Sequence, residues 1–161
     1  MAPDRLDEDL ANELLAKGLT VATAESCTAG LVAARLADRP GSSAYLVGGF
    51  VTYSNAAKIS QLGVDADVLA EHGAVSEPVA LAMARGARHR LETSFGISTT
   101  GVAGPGGGTP EKPVGLVHVA VSGPGGDAHL RLMLPGDRRR VRSDTVTELL
   151  RLLLDQARAL P

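Results

Sequence analysis

The segment that most restricts the fold is "VGLVHVAVSGPGGDAHLRLMLPG", residues 114–136. Two apolar runs flank a Gly-Pro-Gly-Gly-Asp turn signal, which is the pattern of a β-hairpin. A hairpin this tight joins only antiparallel strands. The rest of the chain interleaves helices and strands. Residues 4–17 place Leu6, Leu10 and Leu14 at helical spacing and stop at Gly18. "LTVATAE" reads as a short buried strand and "TAGLVAARLAD" as a helix closed by "RPG". "AYLVGGFVTYS" reads as a strand bent at Gly48–Gly49, and "NAAKISQLG" and "ADVLAEHG" as short helices. "EPVALAMARGARHRLE" is a helix with Pro78 early and Val79, Met83, Ala87 and Leu91 on one face. "SFGISTTGVAG" runs from a strand into a Gly-rich loop, and a Leu-rich helix from about Asp137 to Leu160 closes the chain. Interleaved elements followed by a hairpin predict an α/β fold: a three-layer α/β/α single domain with a mixed sheet, residues 1–161.

Composition narrows the function. Apolar residues make up 44% but aromatics only 2%, so the core must be aliphatic and a stacking platform for single-stranded nucleic acid is disfavoured. A net charge of −2 gives no global attraction to nucleic acid or to an anionic membrane. No apolar run approaches the ~20 residues of a membrane span. The acidic start "MAPDRLDEDL" lacks the apolar stretch of a signal peptide. A single cysteine excludes an internal disulfide framework. The expectation is a soluble cytoplasmic protein. Of its sixteen basic residues only Lys17, Lys58 and Lys112 are lysines. A lysine kept in an Arg-rich chain hints at a place where the amine must lose its proton.

Four stretches carry candidate chemistry. At the strand-to-helix joint "AESCTAGL", Ser26 and Cys27 stand where helix N–H groups and the helix dipole favour negative charge. A nucleophile there gains anion stabilisation and an oxyanion hole; the plain alternative is an ordinary N-cap. In "TYSNAAK", Tyr53 ends a strand and Lys58 lies in the next helix, so the two could form an amine–phenol pair that takes a proton from a hydroxyl. The alternative is an exposed helix lysine beside a half-buried tyrosine. The loop "TGVAGPGGGTPEKP" is not a P-loop, yet its glycines let backbone N–H groups approach a ligand. Its Lys112 serves equally as a ligand contact or a structural ion pair. In "PGDRRRVR", Asp137 reads as an N-cap, and Arg138, Arg139 and Arg140 occupy the first turn, the end that disfavours cations. That placement suits a phosphate, or else a solvated turn. The four histidines show no ligand spacing, and His118, within a strand, reads as a packed residue.

Taken together, "ESCTAGL", "PGSSAYLVGGFVTYSNAAK", "HGAVSEPVALAMARGA", "TGVAGPGGGTPEKPVGLVHVAV" and "PGDRRRVR" resemble the CinA C-terminal domain family, over about residues 7 to 155. The resemblance implies nicotinamide mononucleotide deamidase, which yields nicotinate mononucleotide and ammonia in pyridine nucleotide salvage. It implies Ser26 as nucleophile with Tyr53 and Lys58 as its base pair, no metal, and no cofactor. The substrate is expected against Thr28, Ala29, Gly30, Thr100, Gly101, Gly104, Lys112 and Arg138. The expected partners are a small-molecule pyridine nucleotide and further copies of the chain in a homo-oligomer, with no nucleic acid and no membrane. One departure stands out: the family usually has Gly-Gly after the Thr, where this chain has Ala29-Gly30. Larger members carry an additional N-terminal domain resembling molybdopterin-binding proteins, whose activity is not expected here. Two alternatives remain open: Cys27 as the nucleophile, and a catalytically silent nucleotide-binding module.

Overall fold

The computed structural model describes residues 3–161, with side chains from Arg5 onward. The elements follow in the order α1 (Pro3–Lys17), β1 (Val21–Glu25), α2 (Leu31–Ala37), β2 (Leu46–Val51), α3 (Asn55–Leu62), α4 (Ala66–His72), α5 (Glu77–Leu91), β3 (Phe95–Gly101), β4 (Leu116–Gly123), β5 (Gly126–Met133) and α6 (Arg138–Arg158), with a single 3-10 turn at Ser42–Ala44 before β2. The five strands form one sheet in the order β2-β1-β3-β4-β5. β1 pairs in parallel with β2 and β3, while β3–β4 and β4–β5 are antiparallel. The sheet is mixed, as the hairpin required.

Alternation along the strands sorts the helices into two layers. Val21, Phe95, Ile97, Val117, Val119 and Val121 pack with Leu6, Leu10 and Leu14 of α1, Val32 and Leu36 of α2, and the leucines of α6. Ala22 and Ala24 face Leu62, Leu69, Val79, Met83 and Ala87 of α3, α4 and α5, and Ala120 meets Ala80 and Ala84. The side facing α5 is built of small residues, and the helix comes very close. A Cβ built on Gly96 of β3 would lie 2.0 Å from the Ala84 carbonyl oxygen and 2.7 Å from the Arg88 Cβ. We therefore expect Gly96→Ala to force α5 off the sheet, at a cost of roughly 2–3 kcal/mol. The urea midpoint should fall with the slope m unchanged; an unchanged midpoint would show that α5 yields freely there.

Three features differ from the sequence reading. The strand expected over "AYLVGGFVTYS" is confined to Leu46–Val51. Its irregularity falls at Val47, because the register passes from Val21↔Leu46 to Ala22↔Gly48. Gly49 is needed for a different reason: a Cβ there would sit 2.0 Å from Thr23 Oγ1 on the neighbouring strand. The third difference matters most. The helix expected from Thr28 begins only at Leu31, since Ala29 (φ 47°) and Gly30 (φ 104°) turn left-handed. Residues 26–30 are a turn, not a first helical turn.

Candidate active site

In open α/β sheets, ligands bind beyond the carboxyl ends of the parallel strands, where the chain order reverses. Here β1 is followed by β2 on one side and by β3 on the other, so that place lies beyond Glu25 and Gly101. A cleft opens there. Ser26, Cys27, Tyr53, Lys58 and Arg138 line it, together with Ala74, Val75, Thr100, Gly101, Gly104 and other residues of the Gly-rich loop.

Its centre is a contact between Ser26 and Lys58. Ser54 caps α3 by accepting the Ala57 N–H at 3.1 Å, which sets Lys58 and Leu62 on the helix face turned inward. Lys58 is only 1% exposed. Its Nζ meets Ser26 Oγ at 3.0 Å, the Thr52 carbonyl at 2.8 Å and the Tyr53 carbonyl at 3.2 Å. Burial lowers its pKa from the ordinary lysine range, against an opposing pull from Cys27. The two carbonyls use two N–H bonds. A neutral amine then has its lone pair facing the serine hydroxyl, which is the geometry for taking its proton.

Tyr53 stands elsewhere than the sequence reading put it. Its phenol does not meet the Lys58 amine; it accepts from Arg138 Nη2 at 3.0 Å and is 58% exposed. Only its backbone carbonyl touches Lys58. The amine–phenol pair is thus replaced by a serine–lysine contact, with the phenol at the rim. Arg138 also donates to the Gly104 carbonyl at 2.8 Å, tying α6 to the Gly-rich loop. Asp137 caps α6 as expected, accepting the Arg140 N–H at 2.9 Å.

Four expected substrate contacts lie outside the cleft. Thr28 is fully buried, its hydroxyl bonded to Glu25 at 2.6 Å and close to that of Thr99 at 2.8 Å. Ala29 and Gly30 form the outer bend of the turn. An L-residue held left-handed costs roughly 1–2 kcal/mol, so the methyl of Ala29 strains the backbone and does not narrow the cleft. Lys112 donates to the His72 carbonyl, where the C-terminal end of α4 favours a cation, and anchors the Gly-rich loop.

Two important residues escaped the sequence reading. Glu25, 1% exposed, accepts the N–H groups of Val32 at 2.8 Å and Ala33 at 3.1 Å. It, and not a Ser or Thr, caps α2, so those helix amides are closed to a ligand. Arg142 of α6 donates to the Cys27 carbonyl at 2.9 Å and to that of Thr28 at 3.2 Å. Away from the cleft, His118 Nδ1 lies 2.8 Å from His129 Nε2, and burial, then the His129 charge, push His118 down to about 4. It is a packed residue. No cluster of three or more His, Cys, Asp or Glu side chains suited to a metal occurs among the described residues. No helix among them is long and apolar enough to cross a membrane.

The fold and this contact define an α/β protein with a serine and a buried lysine at the crevice beyond its parallel strands. The chain belongs to the CinA C-terminal domain family, whose model matches residues 3–157. A CinA-like protein of Mycolicibacterium vanbaalenii is 55% identical over 149 residues, 92% of this chain and 35% of that protein. Another, of Mycobacterium avium, is 56% identical over 158 residues, 93% of this chain and 36% of that protein. The chain thus spans little more than a third of the curated relatives it matches. The solved structure of a competence-damaged protein (CinA) superfamily protein from Klebsiella pneumoniae superposes with a TM-score of 0.94 at 32% identity, covering 99% of this chain and 100% of that one. The competence/damage inducible protein CihA from Agrobacterium tumefaciens gives 0.90 at 42%, covering 96% and 97%.

Proposed function

We propose that this chain hydrolyses the carboxamide of nicotinamide mononucleotide to nicotinate mononucleotide and ammonia. The observation that carries the reading is the buried Lys58 amine 3.0 Å from the Ser26 hydroxyl. Neutral Lys58 takes the Ser26 proton as Oγ attacks the carbonyl carbon. The lysine then returns that proton to the departing amide nitrogen, which leaves as ammonia. Water, deprotonated by the same amine, hydrolyses the resulting ester and frees the carboxylate. The cationic pyridinium makes the carbonyl more electrophilic and disfavours a second positive charge on Lys58. The first test is ammonia release from nicotinamide mononucleotide by the purified chain. Nucleotide binding without ammonia release would leave a binding module and overturn the enzyme.

In this reading Arg138 holds the 5′-phosphate at the rim. Asp137 already takes a helix N–H of α6, so the phosphate relies on the guanidinium more than on helix amides. A charge-assisted hydrogen bond contributes about 1.5–3 kcal/mol. Arg138→Ala should therefore lower kcat/KM roughly ten- to a hundredfold at ~1.4 kcal/mol per decade. Its contacts with Gly104 and Tyr53 are lost whatever the substrate, so the informative quantity is the comparison with nicotinamide riboside, which lacks the phosphate. The loss should shrink sharply on the riboside. An equal loss on both substrates would assign Arg138 to loop support alone.

A further inference from the structure

Tyr53 joins the two ends of the cleft. Its backbone carbonyl accepts from the Lys58 amine at 3.2 Å, and that amine lies 3.0 Å from Ser26 Oγ. Its phenol oxygen accepts from Arg138 Nη2 at 3.0 Å. The residue therefore spans the distance between the nucleophile and the guanidinium. It lines the cleft and is 58% exposed, so its ring is open to a ligand. Among the described residues it is the only aromatic in that lining; the others are Gly, Ala, Val, Ser, Thr and Cys, beside Lys58 and Arg138. No Asp or Glu stands among them. The acidic neighbours of Ser26 and Arg138 are committed elsewhere. Glu25 accepts from the Val32 and Ala33 N–H groups, and Asp137 from that of Arg140. A cation entering the cleft meets an amine, a guanidinium, no carboxylate and one aromatic ring.

We infer that the Tyr53 ring is the platform for the cationic pyridinium of the substrate and sets a preference for cationic over neutral ring carboxamides. The inference rests on the reading of this cleft as the site that takes nicotinamide mononucleotide. A carboxamide within reach of Ser26 Oγ and a 5′-phosphate at Arg138 leave the pyridinium and ribose along the span that Tyr53 covers. The quadrupole of an aromatic face attracts a cation placed over it, and does so more strongly once water is displaced. With no carboxylate in the lining, this ring is the group that favours the positive charge. The pyridinium keeps its charge from the bound substrate through attack on the amide. An interaction equal in the ground and transition states appears in KM and leaves kcat unchanged. A phenol that moved a proton would lower kcat when removed.

The test measures binding by calorimetry in a Ser26→Ala background, so that turnover does not interfere. Two ligands are compared: nicotinamide mononucleotide, and its neutral isostere, a benzamide ring joined through carbon to the same ribose 5′-phosphate. A cation–π contact covered by its ligand contributes a factor of roughly five to thirty. Tyr53→Leu should weaken the cationic ligand by about that factor more than the neutral one. Tyr53→Phe keeps the ring and loses the Arg138 contact, and should keep the preference. Any change at the phosphate affects both ligands alike. With Ser26 intact, Tyr53→Leu should raise KM for ammonia release, with kcat within about twofold of wild type. Equal weakening of both ligands in Tyr53→Leu, a preference lost as fully in Tyr53→Phe, or a loss confined to kcat would overturn the inference, while ammonia release by the wild type would leave the deamidase reading in place. If the wild type releases no ammonia but the advantage of the cation still depends on the Tyr53 ring, the deamidase reading falls and the platform stands. If neither ligand binds, both fall.

Discussion

Ser26→Ala is expected to remove deamidation, lowering kcat by about 10⁴-fold or more, as loss of a nucleophile does in other serine hydrolases. Cys27→Ala is expected to keep most of the activity. The two side chains are neighbours in sequence and both line the cleft, but their surroundings differ. Ser26 Oγ lies 3.0 Å from a buried amine. The Cys27 thiol is buried in the core with α1 and α6, and desolvation pushes its pKa up to about 11, against partial relief from Thr99 and Arg142. The thiolate is the reactive form of cysteine, so near neutrality almost none is present. Steady-state rates on nicotinamide mononucleotide, with the melting temperature of each variant, make the test. A folded Cys27→Ala with no activity would overturn the serine assignment. Inactivation by a thiol reagent in the wild type alone would show only that bulk at Cys27 obstructs the cleft.

How far the sequence reaches depends on the range of the interaction. Features written over a few residues are legible. The tight turn between β4 and β5 forces an antiparallel pair, Asp137 caps α6, and the α1 leucines at i, i+4 spacing face the core. Features joining distant segments are not. Glu25 caps α2 from seven and eight residues away, where local rules offer Ser26 or Thr28. Arg142 reaches the nucleophile turn across 115 residues of sequence. Tyr53 sits close enough to Lys58 in sequence to suggest a pair, but α6 brings Arg138 to the phenol instead. The histidines show no common spacing, yet the hairpin register sets His118 opposite Arg131 and His129 opposite Ala120, a diagonal that brings the rings together. Knowing that register beforehand would have revealed the pair. The left-handed turn at Ala29-Gly30 shows why site and fold were misaligned by a few residues. Its second position is a glycine, the usual residue for that conformation, but "TAGLVAARLA" has the composition of an uninterrupted helix.

Lys58→Arg is expected to be nearly as damaging as Lys58→Ala, each costing at least the 10²–10⁴-fold typical of a lost general base. Arginine keeps the charge but cannot give up its proton, so it cannot accept one from Ser26. The wild-type pH–rate profile should rise with the neutral fraction of Lys58. Because burial lowers its pKa, that limb should lie below the ~10.4 of an ordinary lysine. The same shift fixes the sign of a stability effect. As pH falls from about 10.4, the unfolded chain takes up the proton first, so stability declines until the folded-state pKa is reached and levels off below it. Lys58→Met should lose that slope. Arginine is also larger than the buried space that lysine fills, so a second variant separates charge from size. Lys58→Cys in a Cys27→Ala background, alkylated to carry an aminoethyl group, restores an amine of nearly lysine length that is more acidic because of the thioether. Activity should return, with the rising limb moved to lower pH. If Lys58→Arg ran at a near-wild-type rate, or if the aminoethylated variant were active with its limb unmoved, the proton would be taken by a group other than Lys58.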